Sequence, residues 1–270
     1  MQYDPVKRSL GNVFNKAPWL RKLFYNLLDI LLLRAWYIKR EIKKLYSKDR
    51  NQSVSVLDAG SGYGQYDYFV SSYLKKSDIL GVDVKQEQID DCNDFFTKIK
   101  RQDRVKFEYA DLTEFSKPDT YNLVLSVDVM EHILEDEKVF KNICTSLKKD
   151  GVLLISTPSD QGGSDVHHEG EHSFIDEHVR DGYNINDIET KLKNAGFSKV
   201  ESKYSYGTPG SIAWLLSMKW PILMLNCSKL FFILLIPYYI VTFPFAFVLD
   251  WIDTITSHKT GTGLIVKAVK

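Results

Sequence analysis

Val54-Ser55-Val56-Leu57-Asp58-Ala59-Gly60-Ser61-Gly62-Tyr63-Gly64 is the stretch that decides how this chain folds. A short apolar strand runs straight into a glycine-dense turn. A helix follows, because Tyr66, Phe69, Val70, Tyr73 and Leu74 recur at i, i+3, i+4, i+7 and i+8, one helical face. Strand, turn and helix in this order form a cradle for a nucleotide-type ligand. The glycines permit positive φ and close backbone approach. The helix N-terminus directs free N–H groups into the crevice at the strand's end.

Outward from this stretch, strands and helices alternate. Asp78–Asp83 reads as a second strand ending in an acid, with a helix through Ile89 and the Phe95–Ile99 stretch behind it. Val105–Tyr109 alternates like a strand, and Tyr121–Val127 is the apolar run expected of a strand buried on both faces. Val139, Phe140, Ile143 and Leu147 mark a helix ending near Gly151, and Val152–Ser156 is the next buried strand. Asn184 caps a helix that Gly196 closes. Phe197–Tyr206 reads as a sixth strand, and the stretch containing Leu264–Val269 as a seventh. Such alternation predicts an α/β fold with a doubly wound, mostly parallel sheet.

The glycine spacing discriminates between cofactors. Dinucleotide sites carry G-x-G-x-x-G, whereas Gly60, Gly62 and Gly64 give G-x-G-x-G, with Asp58 two residues upstream. This resembles motif I of the class I S-adenosylmethionine (SAM) methyltransferases. The order of elements is similar to theirs over about residues 50–206 plus 261–270, and it implies an antiparallel seventh strand between the fifth and sixth. Ser126-Val127-Asp128-Val129-Met130-Glu131-His132-Ile133 resembles the D-V-L-E-H-I segment of the ubiquinone and menaquinone biosynthesis methyltransferases, with Met130 in place of Leu.

The resemblance assigns roles by position. Asp58, Gly60, Gly62 and Gly64 would face the methionine part of SAM. Asp83, with Val84 beside it, would take the ribose hydroxyls, and Asp111 and Leu112 the adenine. Val127 would close the cofactor side of the segment that faces the acceptor. Glu131, Arg180 and Tyr183 are acceptor-side candidates, and His132 and His178 are candidate bases. A phenolic acceptor has a pKa near 10, so a histidine base would help form its nucleophile. Residues 160–183 lack apolar periodicity and hold four of the six histidines. His167, His168, Glu171 and His172 could complete a metal set with Asp128, Glu131 and His132, but no strict ligand spacing is present and no metal is assigned.

The two apolar ends of the chain set a second theme. Residues 1–50 read as an arm followed by an amphipathic helix, Trp19–Leu45, with basic flanks suited to an interface with anionic lipid. The core, 51–206, resumes at 261–270. Between lies an apolar insertion, 207–260, in which Leu230–Leu249 carries no charge and is long enough to cross a bilayer. Pro221, Pro237 and Pro244 would break straight helices there. Both flanking strands belong to one sheet, so the insertion must return to the side it left, as a re-entrant hairpin or an interfacial pair. The alternative is an apolar lid over the active site.

Lys plus Arg and Asp plus Glu number 35 each, so no net field draws the chain to nucleic acid. Cys92, Cys144 and Cys227 are scattered and odd in number, as in a reducing cytosol. Taken together these features predict SAM-dependent methyl transfer to an oxygen or carbon of a small amphiphilic acceptor, at the cytoplasmic face of a membrane. A membrane-tethered SAM-binding module without turnover and a nicotinamide-dependent oxidoreductase are the rival readings.

Overall fold

A computed structural model describes residues 17–162, 179–228 and 231–270. Its centre is a seven-stranded sheet in the order β3-β2-β1-β4-β5-β7-β6. The strands are β1 (Val54–Ala59), β2 (Ser77–Asp83), β3 (Val105–Tyr109), β4 (Tyr121–Val127), β5 (Leu147–Pro158), β6 (Lys199–Ser205) and β7 (Gly263–Val269). The first five pair in parallel, and β7 runs antiparallel between β5 and β6, as expected. Strand order reverses between β1 and β4, and a crevice opens at the carboxyl ends of strands at such a switch point.

Both sheet faces are covered. Val54 and Val56 enter one apolar cluster, while Leu57 and Ala59 enter the cluster on the other face. That is the period-two signature of a strand buried on two sides. The covering helices are α1 (Pro18–Leu31), α2 (Leu33–Leu45), α3 (Gln65–Tyr73), α4 (Gln86–Lys98), α5 (Asp136–Ser146) and α6 (Ile185–Asn194). Asn184 caps α6 by accepting from Asn186 N, and Gly196 beyond it has φ +106°.

Three elements differ from the sequence reading. The N-terminal helix is two helices, broken at Leu32, whose φ and ψ are −103° and 105°. No glycine or proline marks the break. Tertiary contacts impose it: Leu33 is buried and Arg34 is paired beyond the joint, which turns α2 away from α1. Leu147 begins β5 rather than ending α5, because it pairs with Tyr121 before the ladder slips and resumes at Leu123–Val152. The prolines of the insertion do not end its helices.

That insertion is a helical hairpin. It goes out through α7 (Thr208–Trp214), a π-helical turn (Leu215–Lys219) and α8 (Trp220–Cys227), and returns through α9 (Phe231–Ile255). Pro237 and Pro244 lie inside α9, each removing one N–H while the remaining ladder continues. In the outgoing limb, Trp220 N reaches back to Leu215 O, so Leu216 O loses its usual partner. Pro221 has no N–H to offer Ser217 O. Tyr238 and Tyr239 of α9 supply the replacements: their hydroxyls donate to Leu216 O at 2.7 Å and Ser217 O at 2.8 Å. An orphaned carbonyl away from water would cost about 1–3 kcal/mol.

The hairpin is rooted on α2. Tyr37 Oη lies 2.7 Å from both Asp253 Oδ1 and Asp253 O, and Gly210 N donates to Asp253 Oδ2 at 2.9 Å. His258 Nε2 lies 3.2 Å from the same Oδ2, and Arg40 donates to Thr254 O. Gly210 must be glycine here, since a Cβ would sit 2.6 Å from Leu33 Cδ2 and 2.8 Å from Asp253 Cγ. Beyond the root the limbs cover each other poorly. The apolar window of α9 is 11% buried, and Phe232, Ile233, Ile236 and Ile240 are each at least 66% exposed.

Candidate active site

The glycine turn follows directly from the left-handed backbone its sequence permits. Gly60, Gly62 and Gly64 have φ of +88°, +50° and +71°. Gly60 N and Ser61 N both donate to Val82 O, at 2.9 and 3.0 Å, which fastens the turn to β2. A Cβ on Gly60 would lie 2.3 Å from Val129 Cγ2, so this position holds the turn against the segment after β4. Gly64 is the N-cap of α3.

Asp83 ends β2 at the mouth of this turn. Its Oδ2 accepts from Gly62 N and its Oδ1 from Lys85 N, each at 2.9 Å. A carboxylate has about four acceptor positions, so two remain for a ligand. Val84 beside it is exposed. Asp111 is also exposed, and one oxygen closes its own turn by accepting from Thr113 N and Oγ1 at 2.8 Å. Those bonds hold its pKa below the usual carboxylate value. Leu112 is buried in the core, its carbonyl accepting from Asn142 Nδ2.

Asp58 lies beneath the turn, 1% exposed, against the equally buried Asp67 of α3. No donor among the described residues reaches Asp58 Oδ2 or either oxygen of Asp67. Burial first pushes both carboxyls upward, with the charge of Asp83 adding to it at Asp58 and that of Asp58 adding to it at Asp67. A hydrogen bond from Asp67 favours the ionised Asp58, so the pair is best held by one shared proton. Asp67 was not legible as a site residue, because it reads as an ordinary polar position in the first turn of a helix.

The residues read as acceptor-side candidates lie where β4 and β5 end. Val127 is half-buried at the end of β4, and Asp128 follows with φ +53°. Asp128 pairs with Arg34 Nε at 2.9 Å, which brings α2 across the mouth. Glu131 is 1% exposed in a 3-10 turn, and Thr157 Oγ1 donates to its Oε2 at 3.0 Å. Burial first, and the nearby charge of Asp128 second, push Glu131 up to about 8. His132 sits half-buried on the same turn. Tyr66, at the start of α3, buries a hydroxyl with no hydrogen-bond partner among the described residues, near Arg34, Asp128 and Tyr206. His178, with His167, His168, Glu171 and His172, lies outside the described residues. Among the described residues no group of three or more His, Cys, Asp or Glu is placed to hold a metal.

Two acceptor-side expectations are corrected. Tyr183 is 1% exposed, and its hydroxyl donates to Asp136 Oδ2 at 2.7 Å. Arg180 is spent on Asp136, on Tyr183 Oη at 2.7 Å and on Ile133 O at 2.6 Å. Lys191 joins Asp136 at 3.0 Å. These residues knit the start of α5 to α6, and their neighbour sequence, rich in polar groups after a strand, looked the same as an acceptor loop. The basic flanks of the N-terminal helices are corrected likewise. Arg21 is buried, Lys39 pairs with Asp29, Arg40 donates to Thr254 O and Lys44 pairs with Glu41. Arg21, Lys39 and Arg40 are thus turned to internal partners, while Lys43, Lys44, Lys48 and Arg50 remain exposed.

Three left-handed glycines, an acid above the turn and a buried acid with an unpartnered oxygen below it fit the adenosyl and methionine parts of SAM. Comparison with known proteins agrees. The profile of a family described as Methyltransferase domain matches residues 50–203. The chain belongs to that family, which removes the nicotinamide reading. A phosphoethanolamine N-methyltransferase of Triticum aestivum is 29% identical over 56% of this chain and 29% of its own. An (S)-coclaurine N-methyltransferase of Papaver somniferum is 27% identical over 56% of this chain and 39% of its own. The chain thus spans well under half the length of these relatives, and they are N-methyltransferases, not quinone-biosynthesis enzymes. Among solved structures, Haemonchus contortus phosphoethanolamine N-methyltransferase 2 in complex with SAM superposes with a TM-score of 0.62 at 21% identity, over 87% of this chain and 52% of that one. A SAM-dependent methyltransferase of Mesorhizobium loti gives 0.52 at 15%, over 84% and 96%. At these identities both likenesses speak to the fold.

Proposed function

We propose that this chain transfers the methyl group of SAM to a nitrogen or oxygen of a small amphiphilic acceptor, taken from the cytoplasmic surface of a membrane. One observation carries the acceptor class. The polar mouth at Asp128 and Glu131 is bridged by Arg34 of α2, and three residues further along the same helix Tyr37 roots the apolar hairpin on Asp253. A headgroup at the mouth would therefore have its apolar part beside the hairpin.

SAM, when bound, supplies a methyl on a sulfonium that is open to in-line attack. The chain supplies position and a proton acceptor. The glycine turn and Asp83 would fix the donor, and Asp58 with Asp67 would place negative charge under its cationic end. Glu131 would take the proton of the nucleophile, its carboxylate oriented by Thr157. A group titrating near 8 is well matched to that role at physiological pH. Relatives named for N-methylation favour nitrogen over carbon, and Glu131, once ionised, would take the proton of an ammonium acceptor. His132 stands next to Glu131 as a second base.

The test is to incubate purified protein and labelled SAM with a membrane lipid extract. The expected outcome is a lipid-phase product heavier by one methyl group. Label that binds to the protein yet never leaves it would instead favour a tethered SAM-binding module. Recovery of the intact chain in the soluble fraction at low salt would overturn the membrane part, since burial of many large side chains at about 1.5–3 kcal/mol each should survive high salt.

A further inference from the structure

Helix α1 has two unlike faces. Outward lie Trp19, Leu23, Leu27 and Ile30, a single stripe, with Trp19 65% exposed. Inward lie Arg21 and Tyr25, 2% and 0% exposed. Their target is the cofactor turn. Arg21 Nη2 donates to Tyr63 O at 2.9 Å and Tyr25 Oη donates to the same oxygen at 2.5 Å. Arg21 also donates to Asp91 O and Tyr25 Oη, and its guanidinium lies 5.1 Å from the centre of the Phe95 ring. Two helical turns after Arg21, Asp29 accepts from Gln65 Nε2 at 2.7 Å and pairs with Lys39 of α2. The inner face of α1 therefore grips Tyr63 and Gln65, the residues on either side of Gly64.

A helix of 14 residues with an apolar stripe in water is marginal by itself. The joint at Leu32 is extended, so α1 is tied to α2 by the Asp29–Lys39 pair across the joint and not by a continuous helical ladder. What covers the stripe will decide how firmly the grip is made. A lipid surface is the partner that fits. The stripe ends in a tryptophan, suited to a headgroup boundary. It leads through the joint into α2, where the hairpin with its exposed apolar helix is rooted.

We propose that α1 is a lipid-dependent clamp on the cofactor turn. Laying Trp19, Leu23, Leu27 and Ile30 on a membrane surface firms Arg21 and Tyr25 against Tyr63 O, and Asp29 against Gln65, and so tightens cofactor binding. The two sites are then coupled through named bonds, and the coupling is reciprocal: cofactor also strengthens membrane attachment. This rests on the membrane part of the proposed function.

The experiment uses the full chain and vesicles of phosphatidylcholine and phosphatidylglycerol. Affinity for S-adenosylhomocysteine is measured with and without vesicles, and vesicle co-sedimentation is followed in parallel. Binding should tighten by at least about fivefold with vesicles, the low end of ordinary coupling. The double variant Leu23→Glu, Leu27→Glu should still co-sediment through the hairpin but lose that gain. Tyr25→Phe, which removes the bond to Tyr63 O and the one its hydroxyl accepts from Arg21 Nε, should reduce the gain without abolishing co-sedimentation. Co-sedimentation with an unchanged affinity would overturn the clamp and leave the membrane reading standing. So would a double variant that keeps the full gain. Failure to co-sediment would overturn both.

Discussion

The cofactor turn and the apolar hairpin carry opposite kinds of incompleteness. Around the turn the apolar surface is well covered, and what lacks any donor beyond the shared proton is polar: Asp58 Oδ2 and the oxygens of Asp67, fully buried. In the hairpin the backbone is well satisfied, to the point that two tyrosines replace bonds lost at a π-turn and a proline. There the side chains lack partners, and they are apolar. A buried polar atom without a donor costs energy until a charged or hydrogen-bonding ligand arrives. An exposed apolar helix costs energy until something apolar covers it. The same accounting rule, applied to two regions, points to a polar cationic ligand in one and an apolar surface in the other.

If that contrast is right, the two regions should respond separately to substitution. The largest effect expected is at the acceptor mouth. Glu131→Gln should lower kcat by about 10²–10⁴-fold while SAM affinity stays within about twofold, the range for loss of a positioned base. In the parent protein the rate should climb as pH rises through about 8, where Glu131 loses its proton, and the variant's profile should lack that limb. An equal loss in SAM affinity would mean that Glu131 belongs to the cofactor side. Next comes Asp83→Ala, which removes the acid above the turn. Calorimetry should show SAM binding weakened by about 1.5–3 kcal/mol, with attachment to membranes unaltered.

Smaller changes sharpen the contrast from the hairpin side. Tyr238→Phe and Tyr239→Phe each orphan a carbonyl and should destabilise the hairpin by about 1–3 kcal/mol, read as thermal melting in detergent. SAM affinity measured in the same detergent should not follow. A matched loss there would show the two regions to be one cooperative unit. The smallest effect concerns Asp67. The carboxyls of Asp58, Asp67 and Glu131 all have folded pKa values raised above their unfolded ones. Each therefore binds its proton more tightly when folded. Their contribution is fully present below the unfolded values, about 4, and is lost as pH rises through the folded ones, about 7 for Asp58 and about 8 for Glu131. Melting temperature should thus fall over that interval, and Asp67→Asn should flatten the fall by roughly one proton's worth of slope. A variant with an unaltered slope would remove the shared proton from the account.

Most of the fold was legible because its signals are local. The glycine turn needs positive φ, the strands need period two, and the caps at Asn184 and Gly196 need particular residues, all of which are written in adjacent positions. The structure places Asp83 against the glycine turn, where the order of strand and turn in the sequence puts it. What the sequence did not disclose depends on distant partners. Arg21 and Arg34 read as basic flanks of a lipid-facing helix, because nothing near them in the chain says that Tyr63 O and Asp128 await them. The break at Leu32 is likewise imposed from outside. Tyr183 and Arg180 failed in the other direction: a polar run after a strand was read as an acceptor loop, yet Asp136, more than forty residues earlier, claims both. The prolines misled because the rule for them is a bend, and a bend is compatible with a continuing helix.

Strand β7 comes after the hairpin in the chain, yet it lies inside the sheet, pairing Ile155 with Val266 on one side and Ser202 with Val266 on the other. Ser205 meets Gly263 across the hairpin's base. During synthesis β6 therefore has no neighbour to pair with until the whole apolar hairpin has been made. Elongation at about 5–20 residues per second leaves the hairpin seconds in the open with its partner strand still missing. The order of events is thus built into the connectivity. The most apolar part of the chain must find its surroundings first, and the sheet edge at β5 stays open to wrong partners until it has done so.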